Sequence, residues 1–198
     1  MNLDRFIYYK NNAFTDVFCD SMVDLFDKRE AANNVDVGQM ASGLDLNVKN
    51  STEVNLLGIV DNSFYEVIND HLSNHYLGTL PFPDKYNPDS RVLGNPTYYE
   101  VCQIQKYRKG SGHYNAWHVE VDGPESCIRP FSMIIYLNDV DNGGETSFLY
   151  TGSKIKPRKG GLLIFPSAFP FVHRGEVPIS NDKYIIATWL AYRPVVNL

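Results

Sequence analysis

The stretch FSMIIYLNDVDNGGETSFLY, residues 131–150, decides how this chain folds. FSMIIYLN (131–138) and TSFLY (146–150) are short runs rich in aromatic and β-branched side chains. Between them, DVDNGG (139–144) is a dense cluster of turn-forming residues. The pattern reads as strand, turn, strand. Working outward, the same texture recurs in YYEVCQIQKY (98–107), AWHVEV (116–121), GGLLIFP (160–166) and KYIIATWLAY (183–192), separated by RKGSG, DGPES, PRKGG and PISND. Six strands at this spacing predict a sandwich, a barrel or a jelly roll. The aromatic content, 13%, suits such a β-rich core.

The first 96 residues read differently. LDRFIYY (3–9) is expected to be a first strand. Thr15 is placed to cap a helix whose Phe18, Met22, Leu25 and Phe26 share one face, with Asp16, Asp20 and Asp24 on the other. Residues 31–53 read as a loop with one short strand, and residues 62–76 as a second helix. His71 and His75 stand i, i+4 on that helix, a metal-capable spacing that also suits a partly exposed helix face. PFPDKYNPDSRVLGNP (81–96), with four prolines, is a stiff connector or lid and the seam of the chain. The expected organisation is a single domain, 1–198, with a helical and irregular supporting region over 1–96 and a β core over 97–198.

The formal charge of −5 argues against a chain-wide basic surface for nucleic acid. Cys19, Cys102 and Cys127 form no CxxC pattern and read as reduced thiols. MNLDRFIYYK lacks the layout of a signal segment, and no apolar run reaches the roughly 18 residues of a membrane span. The expected setting is cytoplasmic.

NAWHVEVDG (115–123) carries the chemistry. Extended, it alternates His118, Glu120 and Asp122 on one face with Trp117, Val119 and Val121 on the other. A solvent-facing strand edge and a metal site both fit. His173, in PFVHRGEV, is a distant second imidazole. Two imidazoles and one carboxylate form the facial set of non-haem Fe(II) oxygenases. Zinc hydrolases use the same groups, usually as HExxH on a helix, which is absent here. Asp122 competes with Glu120 but precedes Gly123-Pro124, so it reads as a turn residue. Lys183 opens an otherwise apolar strand. Buried, it needs an anionic partner; at an exposed strand end it needs none.

Taken in order, Tyr107 to Gly110, His118-x-Glu120, Arg129 with YLNDVDNGGETSF, IKPRKGGLLIF, His173-Arg-Gly and NDKYIIATW resemble the prolyl 4-hydroxylase-like branch of the 2-oxoglutarate and Fe(II)-dependent dioxygenases, over about residues 97–192. WHVE and FPSAF look most like compact bacteriophage-encoded members. The resemblance implies a double-stranded β-helix (jelly roll) packed against N-terminal helices. It implies Fe(II) on His118, Glu120 and His173. Lys183 would pair with the distal carboxylate of 2-oxoglutarate, Thr146 would bond near that carboxylate, and Tyr107 would lie beside the co-substrate. O2 is the second co-substrate, with ascorbate a candidate reductant. The implied reaction hydroxylates a C–H bond, foremost of a prolyl residue in a peptide or protein, with release of succinate and CO2. An oxygenase of free amino acids or other small molecules, a zinc hydrolase, and a non-catalytic metal- or sugar-binding jelly roll are the alternatives. Two departures stand out. Glu120 occupies a position that is usually Asp in this branch. The segment between Tyr107 and His118 is longer by one or two residues, which puts His113 at the rim. Arg129 and Arg174 are expected to be solvated surface or to orient substrate.

Overall fold

The computed structural model describes residues 2–40, 43–77 and 98–192. Its strands are β1 (Tyr8–Lys10), β2 (Asp36–Val37), β3 (Lys49–Asn50), β4 (Thr52–Asn55), β5 (Tyr98–Tyr107), β6 (His113–His118), β7 (Phe131–Tyr136), β8 (Thr146–Phe148), β9 (Lys154–Ile155), β10 (Leu162–Pro166), β11 (His173–Gly175) and β12 (Lys183–Ala191). They form two sheets, a seven-stranded one in the order β1-β10-β7-β12-β5-β4-β2 and a five-stranded one in the order β3-β6-β11-β8-β9. The pairings are antiparallel throughout both sheets. None of the described helices is long and apolar enough to cross a membrane.

Period-two patterning builds the larger sheet. On β12, Tyr184, Ile186 and Leu190 enter the main apolar core, whereas Lys183, Ile185, Ala187 and Trp189 line a cavity on the opposite face. Strand β5 sorts Cys102 and Ile104 from Gln103, Gln105 and Tyr107 in the same way. Strand β7 sorts Phe131, Met133 and Ile135 from Ser132 and Ile134. Two helices cover the apolar face. Helix α1 (Asp16–Ala31) starts where Thr15 accepts a hydrogen bond from the Phe18 amide, and it buries Cys19 and Phe26. The Phe26 ring meets Tyr184 edge-on at 5.7 Å. Helix α2 (Asn62–Asp70) is capped by Asp61 and buries Phe64 and Ile68. Each such side chain contributes roughly 1.5–3 kcal/mol by leaving water.

Several local expectations need correction. Residues 3–9 are not one strand. Asn2 accepts from the Asp4 amide and starts a 3-10 helix, Leu3–Phe6, so only Tyr8–Lys10 pairs with β10. The 31–53 segment holds β2, β3 and the start of β4 rather than a single short strand. The second helix does not stay α-helical: His71–Tyr76 winds as a π-helix. Strand β6 begins earlier than the 116–121 run and ends at His118. The proline-rich segment 81–96 lies outside the described residues. The two supporting helices do come from residues 1–96, and that region also adds edge strands to both sheets.

Candidate active site

Strand β11 sits in the middle of the smaller sheet, and its register puts His173 directly opposite His118 on β6. The two imidazole rings lie 4.4 Å apart, centre to centre. Each ring is held through Nδ1. His118 Nδ1 lies 2.9 Å from the Ala116 carbonyl, and His173 Nδ1 lies 3.0 Å from the Phe171 carbonyl. A carbonyl only accepts, so each Nδ1 donates, and Nε2 is the nitrogen left to carry a proton toward a carboxylate or to bind a metal. Both Nε2 atoms face Glu120 Oε1, at 3.5 Å from His118 and 3.3 Å from His173. Neighbouring ligands on an octahedral ion with bonds of about 2.1 Å stand roughly 3 Å apart, so the spacing suits one cation. A ligand atom from each of the three residues lies within 4.8 Å of the others. Burial pushes the Glu120 carboxyl up, but the two imidazoles reverse this and hold it well below the usual carboxylate range. Burial pushes His173 down, favouring the neutral ring that a metal requires.

Glu120 does not reach this position by strand alternation. The chain leaves β6 at His118, and the Glu120 amide donates to the Ser167 carbonyl at 2.9 Å. Val119 then lines the same cavity as His118 and Glu120 rather than an opposite face. Asp122 lies outside the trio and accepts from Ser126 Oγ in a turn, at 3.0 Å. The extra length before His118 is absorbed inside β6. His173 opposes His118, but Gly175, only two residues on, opposes Tyr114. This bulge brings Tyr114 beside His118, with the rings stacked at 3.8 Å and 13°. His113 bonds instead to the Ser111 and Asn47 carbonyls.

Lys183 is 2% exposed and lines the same cavity of about 550 Å³. Its ammonium donates to the Gly144 carbonyl at 2.8 Å, and among the described residues no carboxylate lies within 4.0 Å of it. The GGET turn makes this contact: Gly143 and Gly144 have φ of 70° and 75°, a region that side-chain-bearing residues rarely adopt. Burial pulls the Lys183 ammonium down to about 8, against the raising influence of Glu145 and Glu176. A Cβ built on Gly175 would stand 3.9 Å from Lys183 Nζ. Gly175 lies two residues beyond His173, roughly 6.6 Å along the strand. The ammonium therefore sits beside Gly175, two residues along β11 from His173.

Tyr107 and Thr146 line this end of the cavity, but their hydroxyls bond within the protein. Tyr107 donates to Gln105 Oε1 at 2.7 Å, and Thr146 Oγ1 pairs with the Tyr136 hydroxyl at 2.7 Å. Arg129 and Arg174 are not solvated surface. Each is half-buried beside the cavity, Arg129 paired with Glu100 and set 4.7 Å from the Trp189 ring, Arg174 paired with Glu176 and set 4.4 Å from the Trp117 ring. Sequence reasoning missed Tyr114, although four residues before a strand histidine is a same-face position. It also missed the buried Lys49–Glu53 pair, 2.6 Å apart, whose ammonium lies 5.6 Å from the Tyr114 ring. No local pattern ties residue 49 to residue 114.

Comparison with known proteins agrees with this geometry. Residues 102–191 match the family model of the 2OG-Fe(II) oxygenase superfamily. A probable prolyl 4-hydroxylase of Arabidopsis thaliana is 30% identical over 115 residues, covering 46% of this chain and 40% of that protein. The chain thus spans less than half the length of the curated relatives it matches. The fold resembles a Pseudomonas putida prolyl-4-hydroxylase, with a TM-score of 0.71 at 15% identity over 94% of this chain and 93% of that one. It also resembles a Trichoplax adhaerens prolyl hydroxylase solved with a hypoxia inducible factor peptide fragment, with a TM-score of 0.69 at 20% identity over 94% and 84%. On its matched strands, its two sheets and its histidine–carboxylate cluster, this chain resembles the prolyl 4-hydroxylase-like 2OG-Fe(II) oxygenases.

Proposed function

We propose that the chain hydroxylates a C–H bond of a prolyl residue in a peptide or protein, consuming 2-oxoglutarate and O2 and releasing succinate and CO2. One observation carries the reading: His118, Glu120 and His173 converge in a cavity whose wall holds a buried lysine without a carboxylate partner among the described residues. The donor set fits Fe(II), and the ammonium without a carboxylate partner among the described residues fits a dicarboxylate. When bound, the iron and 2-oxoglutarate supply the oxidising chemistry.

The protein's own part is binding and orientation. His118 and His173 would present neutral Nε2 atoms, fixed by the Ala116 and Phe171 carbonyls. Glu120 would complete the set as an anion. Lys183 would anchor the far carboxylate of 2-oxoglutarate, with Thr146 and Tyr107 flanking it. Tyr114 would keep the His118 ring from rotating. Arg129 and Trp189, stacked on one another beside the cavity, would frame an extended peptide. The architecture supports reading 97–198 as the catalytic core and 1–96 as its buttress. Three unpaired thiols favour a reducing, cytoplasmic setting.

The test is anaerobic titration of the full chain with Fe(II) and 2-oxoglutarate, expecting a visible metal-to-ligand charge-transfer band. Coupled succinate production is then measured on proline-rich peptides, with mass spectrometry to find one added oxygen atom on proline. A folded protein that gives no band overturns the oxygenase reading. A band with turnover on free amino acids but not on peptides overturns the substrate assignment.

A further inference from the structure

The helix pair on the far side of the large sheet holds a second cluster of metal-capable groups. Asp70, His71 and His75 each offer a ligand atom, and these atoms lie within 4.8 Å of one another. None of the three lines the cavity of the first site. Their neighbours Leu72 and Tyr76 belong to the apolar core beneath the helices.

The cluster exists because the helix changes its winding. Five residues advance an α-helix by about 500°, so Asp70 and His75 would point about 140° apart. From His71 to Tyr76 the chain is π-helical, with the Leu77 amide bonded back to the Leu72 carbonyl. That i→i+5 winding puts residues five apart on one face, and single π turns recur at functional sites. Here Asp70 Oδ2 comes to 3.7 Å from His75 Nε2, and the His71 and His75 rings lie 5.2 Å apart. On an ion with bonds of about 2.0 Å in tetrahedral geometry, ligands stand roughly 3.3 Å apart. The Asp70–His75 spacing of 3.7 Å is close to that value, and the set as a whole lies within 4.8 Å. Two further contacts orient the set. Tyr8 on β1 bonds to His71 Nδ1 at 3.0 Å, and Asn74 Nδ2 donates to Asp70 Oδ1 at 2.7 Å, leaving Oδ2 for the cation.

We propose that Asp70, His71 and His75 form a second metal site, for a divalent cation of the zinc class, clipping the π-helical turn to edge strand β1. Two imidazoles and a carboxylate suit Zn(II), which takes water as its fourth ligand. The site does not depend on the hydroxylation chemistry proposed above.

Isothermal titration of the full chain with Zn2+ alone, together with the visible absorption of Co2+, tests it. Wild type should bind two ions per chain. His75→Ala and Asp70→Ala, both changes at exposed positions, should each bind one and retain turnover. His173→Ala should also bind one but lose turnover, and His113→Ala should still bind two. Circular dichroism checks that each variant keeps its fold. One ion in wild type, or two ions retained in His75→Ala, overturns the proposal.

Discussion

The two faces of strands β5, β7 and β12 share one backbone but differ in chemistry. The helix-covered face carries Cys102, Ile104, Met133, Ile135, Ile186 and Leu190, all nearly sealed from water. The cavity face carries Gln103, Gln105, Tyr107, Ser132, Lys183 and Trp189. The first face pays for folding, and the second can therefore hold a buried cation and a set of polar side chains that stabilise little by themselves. Adjacent residues on one strand should fail in opposite ways when changed.

The largest expected effect is on the cavity side. His173→Ala should abolish high-affinity Fe(II) binding and bring turnover to background while the unfolding midpoint in urea stays close to wild type. Glu120→Ala should also lose hydroxylation, and Asp122→Ala should keep it; the reverse pattern would move the carboxylate ligand to Asp122. On the other face, Ile186→Ala should cost about 2–5 kcal/mol in urea unfolding and leave the apparent affinity for 2-oxoglutarate unchanged. A large loss of affinity there would break the division between the faces.

Lys183→Met should weaken 2-oxoglutarate binding by about a hundredfold, corresponding to roughly 3 kcal/mol for a charge-assisted contact, with little loss of stability. The lysine also gives a pH signature. Its folded value, about 8, lies below the ordinary 10.5, so between these limits the unfolded chain binds more protons than the folded one. Stability relative to Lys183→Met should therefore rise as pH increases from about 8 to 10.5. Binding of 2-oxoglutarate should run the other way, weakening above about pH 8 as the ammonium is lost. Thermal scans and equilibrium titrations across that range check both signs. The smallest effect belongs to Tyr114→Leu, which should lower Fe(II) affinity about tenfold by freeing the His118 ring; unchanged affinity would leave the stack without a role.

Much of this was legible in the sequence where patterns are local. β5 coincides with the 98–107 run, and β12 ends one residue short of the 183–192 run, because alternating apolar positions bounded by turn residues specify a strand directly. β11 was invisible: three residues, His173-Arg174-Gly175, carry no period, and the segment is a strand only because β6 and β8 flank it. The exit of the chain from β6 was hidden for a related reason. HVEV alternates like a strand, yet the Glu120 amide finds its acceptor at Ser167, far along the chain. His71 and His75 were readable as a pair, but the arrival of Asp70 beside them depends on the helix winding. Lys183 was readable as the head of a strand, and its burial was not, because that depends on the GGET turn closing over it.

The three residues of β11 place a histidine toward Glu120 and, one step deeper, a glycine beside the lysine. Hydrogen-bonded strands grip β11 on both sides, so it cannot shift by half measures. A slip of one residue would turn Arg174 inward and send His173 out, dismantling the proposed cation cradle and the proposed anion berth in the same movement. Insertions within 173–175 should then behave as all-or-none lesions, whereas lengthening the exposed 149–153 turn should be absorbed.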